Sequence, residues 1–157
     1  MTTTSAASTV DPALASAWYQ RWLEAWNSHE PERLRPLVSD DFVLVTPTSV
    51  VMDWEPRGVE DAVRYMAFVV GAYPDLVWER SGPPLHAVDA PRVAFTWRGQ
   101  GTFSGRMDPP GIDGSGRPFS FTGVEVFDFR DDKACALEVS YDLQGLMRQV
   151  LPKRVSD

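Results

Sequence analysis

The hydrophobic pattern of this 157-residue chain changes period at Pro74, and that switch bounds the fold more tightly than any other feature. Before it, apolar residues recur at helical spacing; after it, they alternate. Asp11-Pro12 reads as a helix start, a carboxylate cap followed by a proline at the first helical position, where the missing N–H costs nothing. From there Leu14, Trp18, Trp22 and Trp26 recur every four residues with Leu23 beside them, so a helix of about 17 residues carries a tryptophan ladder on one face. Pro31 restarts a short helix to about Val38, and Asp40-Asp41 leads into a strand, Phe42 to Thr46, that Pro47 stops. The segment from Pro47 to Gly58, with Trp54, reads as irregular. Val59, Ala62, Val63, Met66, Val69, Val70 and Tyr73 then follow helical spacing up to Pro74-Asp75.

Beyond Pro74 the pattern predicts a short strand at Leu76–Glu79, a long one at Arg92–Thr102, and a Gly/Pro-rich stretch from Gly105 to Gly116. Arg117 to Arg130 alternates strongly, with Phe119, Phe121, Glu125, Phe127 and Phe129 on one face. Asp131-Asp132 makes a turn, Ala134–Tyr141 returns, and Asp142–Val150 closes the chain as an amphipathic helix. Helices first and antiparallel strands later is the pattern of an α+β domain with helices on one face of a sheet. It fills 11–152 as a single domain, between a disordered leader at 1–10 and a tail at 153–157.

Composition narrows the partners. A net charge of −7 with no run of Lys or Arg leaves no footprint for neutralising phosphates, so nucleic acid and anionic membrane surfaces are excluded. Cys135 is the only cysteine and His29 and His86 are far apart, which gives no disulfide and no metal-ligand spacing. No apolar segment approaches the roughly 18 residues that span a bilayer, and the start has no export signal, so a cytoplasmic location is expected. Six Trp, eight Phe and four Tyr are more flat apolar surface than a domain of this size needs to fold.

Several short pieces now line up with a known family. They are Trp26-Asn27, Asp41-Phe42, Gly58, the run Gly101-Thr102-Phe103-Ser104-Gly105, Pro109-Pro110, Gly116-Arg117, Phe121-Thr122-Gly123, and the ending Tyr141-Asp142 with Leu146 and Arg148-Gln149. In this order, over about residues 15–150, the chain resembles the SnoaL-like polyketide cyclases of the nuclear transport factor 2-like superfamily. The resemblance implies a cone: a curved antiparallel or mixed sheet wrapped around three to four helices, with one internal pocket and often a dimer through the outer sheet face. The superfamily hosts isomerases, hydrolases, cyclases, dehydratases and inert binders, so the activity must come from the site.

Asp142 stands where the cyclases carry their general acid/base, at the junction of the last strand and helix; its position equally suits an N-cap. Glu125 interrupts an aromatic face, and a carboxylate there is costly unless it is hydrogen-bonded or functional. Two residues on, where aldol-type cyclases often carry His, this chain has Phe127. Arg98 and Gln100 share a face of the long strand. They resemble the epoxide hydrolases of the superfamily, with Gln100 in place of the middle carboxylate and Asp142 matching the strand-end aspartate. Trp97 points the other way, and periodicity does not say which set faces the pocket. The ketosteroid isomerase branch needs a carboxylate where this chain has Thr46-Pro47, and its tyrosine falls at Trp22, so Thr46 and Trp22 are expected only to line the pocket. The glycines from Gly111 to Gly116 lack a Lys and a following helix, so they read as a flap at the pocket mouth rather than a phosphate loop.

The expectation is a cofactor-independent, metal-free enzyme that works by acid/base chemistry on an apolar, polyketide-like small molecule as a cyclase or isomerase. Asp142 and Glu125 would be catalytic, with Arg98, Gln100, Trp22, Thr46 and Phe127 binding the substrate, in a homodimer. An epoxide-opening enzyme using Asp142, Arg98 and Gln100 is the first alternative. A non-catalytic binder of apolar ligands, or a domain serving only dimerisation, is the other.

Overall fold

The structure, a computed structural model, describes residues 9–152. The expected tail and all of the expected leader but Thr9 and Val10 lie outside them, and Val10 packs against the core rather than joining a leader. Helix α1 spans Pro12–Ser28, and its first turn is capped by the Asp11 carboxylate, which accepts from Leu14 N–H at 3.1 Å. It ends where His29 turns left-handed and returns its N–H to the Trp26 carbonyl. The buried face is Ala15, Trp18, Tyr19, Trp22, Ala25 and Trp26; Leu14, expected in the ladder, is 39% exposed. A 3₁₀ turn at Pro31–Leu37 leads into β1, Val38–Val45.

Strand β1, an edge strand, starts earlier than Phe42, because Val38 already pairs with Ala134. It pairs parallel to the strand Lys133–Tyr141, with a bulge between Val38 and Val43 that leaves Asp40 and Asp41 exposed. The stretch expected to be irregular holds a short helix, α2, at Pro47–Val51. Thr46 and Ser49 form a reciprocal capping box around its first turn, which offsets the shortness of the element. Helix α3 covers Gly58–Ala72, followed by β2 (Val77–Arg80), β3 (Leu85–His86) and β4 (Arg92–Thr102). The Gly/Pro-rich stretch is not featureless: β5 (Arg106–Met107) and β6 (Ile112–Asp113) form a small hairpin. Strand β7 (Pro118–Arg130), β8 (Lys133–Tyr141) and α4 (Leu143–Val150) complete the chain.

The main sheet runs β1-β8-β7-β4-β2, with β3 on the far part of β4; only the β1–β8 pair is parallel. It is mixed, curled and not closed, as the cone-shaped α+β reading requires. The register sets which side is concave. Phe95 and Trp97 on β4 pair with Glu125 and Gly123 on β7, so these side chains share one face, together with Phe119, Phe121, Phe127 and Phe129. The ladder of α1 packs into that face. Trp18 meets Phe127 and Phe129 edge-on, each at 4.9 Å, and Tyr19 stacks on Phe95 at 3.8 Å.

Two glycines make room for the rings. A side chain at Gly123 would place its Cβ 2.4 Å from Trp97 Cζ2 and 2.5 Å from the Ser140 carbonyl, and one at Gly99 would meet the rings of Trp78 and Phe121. Gly123→Ala is therefore expected to cost about 1–3 kcal/mol of stability, since one of its clashes is with backbone and cannot relax by a rotamer change. Denaturant unfolding checks this; an unchanged midpoint means that Trp97 does not sit in the notch.

Candidate functional site: an aromatic cavity with one carboxylate

The helices do not fill the concave face. Between α1, α3, α4 and the sheet lies an open cavity of about 270 Å³. Its walls are almost wholly apolar, with Trp22, Trp26, Trp78, Trp97, Phe121 and Leu146 among them, and its mouth carries Val51, Met52, Met107, Pro109, Pro110 and Ile112. The β5–β6 hairpin thus stands at the mouth, where the flap was expected.

Glu125 is the one Asp, Glu, His, Lys or Arg among the residues lining the cavity. It sits there because β7 alternates, so an odd-numbered carboxylate must point the same way as Phe121 and Phe127. Oε2 accepts from the Tyr19 hydroxyl at 2.7 Å and Oε1 from the Trp22 indole N–H at 3.3 Å. Burial pushes the Glu125 carboxyl up from 4.5 to about 7, while the hydrogen bonds from Tyr19 and Trp22 pull the other way without winning. Burial, and then the charge of Glu125, raises the Tyr19 phenol far above its ordinary value, so Tyr19 keeps its proton and donates. Each Glu125 oxygen spends one lone pair on these donors and has another left for the cavity. A carboxyl so placed changes protonation state near neutrality and can both take and give a proton.

Away from Glu125 the polar lining consists chiefly of hydroxyls. The Thr46 hydroxyl is 2.9 Å from the Tyr65 hydroxyl, and the Thr48 hydroxyl is hydrogen-bonded to that of Tyr141. Burial, with the neighbouring Tyr141 hydroxyl, raises Tyr65 well above its ordinary range.

The structure separates the other expected site residues. Trp22 and Thr46 line the cavity as expected. Phe127 does not; it is fully buried beneath Trp18, Tyr19 and Trp22, as core. Asp142 is exposed and outside the cavity lining, and its carboxylate caps α4 by accepting from Gly145 N–H at 3.0 Å. Its tight turn onto Gly145 aims it along the helix, so the expected convergence of Asp142 with Glu125 is not found. Arg98 and Gln100 are exposed on the convex face because Trp97 takes the concave one. Tyr19, Tyr65, Thr48 and Tyr141 were not foreseen. Tyr19 had a signal, since it lies three residues before Trp22 and four after Ala15 and so falls on the buried stripe. Among the described residues no cluster of three or more His, Cys, Asp or Glu could hold a metal ion, and no helix is long and apolar enough to cross a membrane.

The family model for SnoaL-like polyketide cyclase matches residues 16–150. No curated protein sequence matches the chain. Among solved structures, a candidate SnoaL-like polyketide cyclase from Jannaschia sp. CCS1 is similar at 16% identity, covering 90% of this chain and 95% of that one with a TM-score of 0.75. IdmH from Streptomyces antibioticus, described as a candidate polyketide cyclase, shares 24% identity over 85% of this chain and 96% of its own, with a TM-score of 0.69. A protein of ketosteroid isomerase-like fold from Catenulispora acidiphila DSM 44928 shares 17% over 89% and 97%, also at 0.69. At these identities the likeness is one of fold.

The Glu125 environment has a thermodynamic consequence. Its carboxyl holds a proton in the folded chain up to about 7 but in the unfolded chain only up to 4.5, so between those values the folded state binds more protons and stability falls as pH rises. A shift of this size corresponds to about 3 kcal/mol across the interval. Comparing wild type with Glu125→Gln by denaturant unfolding from pH 4.5 to 7 should show this fall in wild type and its absence in the variant. Parallel curves would mean that the carboxyl is not desolvated.

Proposed function

The chain belongs to the SnoaL-like polyketide cyclase family, and from that premise we propose that it is a small acid/base enzyme of polyketide-like metabolism that cyclises or isomerises an apolar cyclic molecule, with Glu125 as the group that takes and returns the proton. One observation carries the reading: a lone carboxylate faces a largely apolar, aromatic cavity and is poised to ionise near neutrality. As base, Glu125 removes a proton from a carbon made acidic by an adjacent carbonyl; as acid, it returns that proton to another position of the same molecule. The Tyr19 hydroxyl and Trp22 N–H hold both carboxylate oxygens, so the group is oriented before substrate arrives. These transfers need no group beyond the chain's own side chains.

The assignment moves the chemistry from Asp142 to Glu125. Asp142 serves α4 as its cap, and the epoxide-opening alternative loses its support because Asp142, Arg98 and Gln100 do not line the cavity. A homodimer through the convex sheet face, where Val43, Val45, Val126 and Ala136 border a hollow together with Arg92, Asp128 and Glu138, belongs to the same proposal, as does a cytoplasmic location.

The test uses a surrogate, since the natural substrate is unidentified. In D₂O, NMR follows exchange of the α-protons of 2-tetralone. Wild type should accelerate exchange over buffer, with a rate that rises through about pH 7 as the carboxylate forms. Glu125→Gln should slow it by roughly 10²–10⁴-fold, the usual span for a general acid/base. Asp142→Ala should keep the exchange rate but lose about 1 kcal/mol of stability as α4 loses its cap. No acceleration by wild type would favour a non-catalytic binder.

A further inference from the structure

The geometry points to a second class of ligand for the cone: a lipophilic ammonium ion, a tertiary or quaternary amine with an apolar body, held with the Glu125 carboxylate as its counter-ion and the tryptophan wall as its cage. This goes beyond the acid/base reading, since it needs the charge of the carboxylate and the walls around it but no turnover.

Trp22, Trp26, Trp78 and Trp97 all line the cavity and form a continuous run, with successive ring centres 6.2, 6.0 and 4.4 Å apart and successive planes inclined at 61°, 84° and 89°. Such inclinations make a box of rings rather than a stack, and indole is the strongest aromatic partner of a cation. Both ends of the run come back to the carboxylate. The Trp22 N–H donates to Glu125 Oε1, and Trp97, opposite Gly123, is the diagonal neighbour of Glu125 on the concave face. Such neighbours have backbone positions about 7–8 Å apart. The one acidic group of the lining is thus set among the rings, where a methylated ammonium meets charge and indole together.

The chain leaves that charge without a partner of its own. Among the described residues the lining holds no Lys, Arg or His, and the bonds from Tyr19 and Trp22 leave each Glu125 oxygen one lone pair. The titratable groups packed around it are phenols: Tyr19 from α1, Tyr65 from α3, Tyr73 at its end and Tyr141 from β8. Burial raises Tyr19, Tyr65 and Tyr73 above their ordinary values, so they stay neutral. Arg80 of β2, whose charge reaches Tyr19, is exposed and outside the lining, while β1, β4 and α4 contribute no titratable side chain to it. The acceptors available select the kind of cation. A calcium ion takes about six or more oxygen ligands and a primary ammonium brings three N–H groups, but the lining offers one carboxylate, and the hydroxyls of Thr46, Thr48, Tyr65 and Tyr141 are engaged with each other. A tertiary ammonium has one N–H, which a free lone pair of Glu125 accepts; a quaternary one has none. The net charge of −7 draws cations toward the chain.

Benzyltrimethylammonium and neopentylbenzene, the same shape with carbon in place of the charged nitrogen, are titrated by tryptophan fluorescence at about pH 8 and about pH 5.5. A nearby cation favours the ionised carboxylate, and Glu125 ionises at about 7, so wild type should hold the cation about tenfold or more tighter than the isostere at the higher pH and lose most of that preference at the lower one. Glu125→Gln should keep only the smaller preference at both, with isostere affinity unchanged as the sign of an intact cavity. Trp78→Leu should weaken the cation about threefold or more beyond any loss for the isostere. Equal binding by wild type at the higher pH, a preference indifferent to pH, one that survives Glu125→Gln, or equal weakening of both ligands by Trp78→Leu overturns the proposal. The proton-exchange experiment decides the acid/base reading separately: exchange lost in Glu125→Gln with no preference for the cation leaves that reading standing and removes only this one, and a preference for the cation without exchange does the reverse.

Discussion

Everything at the site depends on the packing of α1 into the concave face of the sheet. Trp18, Tyr19 and Trp22 meet Phe95, Phe127 and Phe129 ring against ring, and burial of each such side chain contributes on the order of 2–3 kcal/mol. The same contact seals the floor of the cone. Without it, the Glu125 carboxylate would face water and titrate like any other glutamate. With it, two rings of the sealing helix become the hydrogen-bond donors of that carboxylate, so the residues that exclude solvent also orient the acid. Stability and the setting of the Glu125 carboxyl therefore share side chains, and they cannot be varied independently along α1.

The cavity exists because the sheet curls further than the helices can follow. Gly99 and Gly123 leave room for the rings of Trp78 and Trp97 close against the strands. Trp26, Trp78 and Trp97 meet in near-perpendicular pairs at 6.0 and 4.4 Å, an interlocked wall. The hairpin at Arg106–Asp113 and the short α2 frame the mouth with apolar side chains, which keep the approach to Glu125 apolar.

Much of this was legible from the residues. The change of period at Pro74 and the Asp11-Pro12 cap located the helices and strands, and the lone carboxylate among phenylalanines singled out Glu125. What stayed open was the sidedness of β4. Phe119, Phe121, Phe127 and Phe129 on β7 all occupy odd positions; on β4 the large aromatics Phe95 and Trp97 do too, so counting aromatics over both strands assigns Trp97 to the concave face and Arg98 with Gln100 to solvent. Asp142 misled for another reason: a strand-to-helix junction is where a catalytic aspartate and a capping aspartate look alike, and only the direction of the carboxylate tells them apart. The bond between Thr48 and Tyr141 joins residues 93 apart and left no local trace.

The balance at Glu125 explains why two donors suffice and more would harm. A carboxylate accepting three backbone N–H bonds is driven to low pKa and becomes a poor base near neutrality. Here the donors are a phenol and an indole, neutral groups whose hydrogen bonds are each worth about 1 kcal/mol net, while desolvation of a charge costs several. Desolvation wins, which leaves the carboxyl at about 7, high enough to be an effective base and low enough to be ionised in an appreciable fraction. A cation beside Glu125 would stabilise its charge and spoil that balance. Among the described residues the cavity lining contains no Lys, Arg or His, and the arginine expected to bind substrate, Arg98, lies on the other face of the sheet. Excluding positive charge from the cone is thus part of how burial holds the Glu125 carboxyl at about 7.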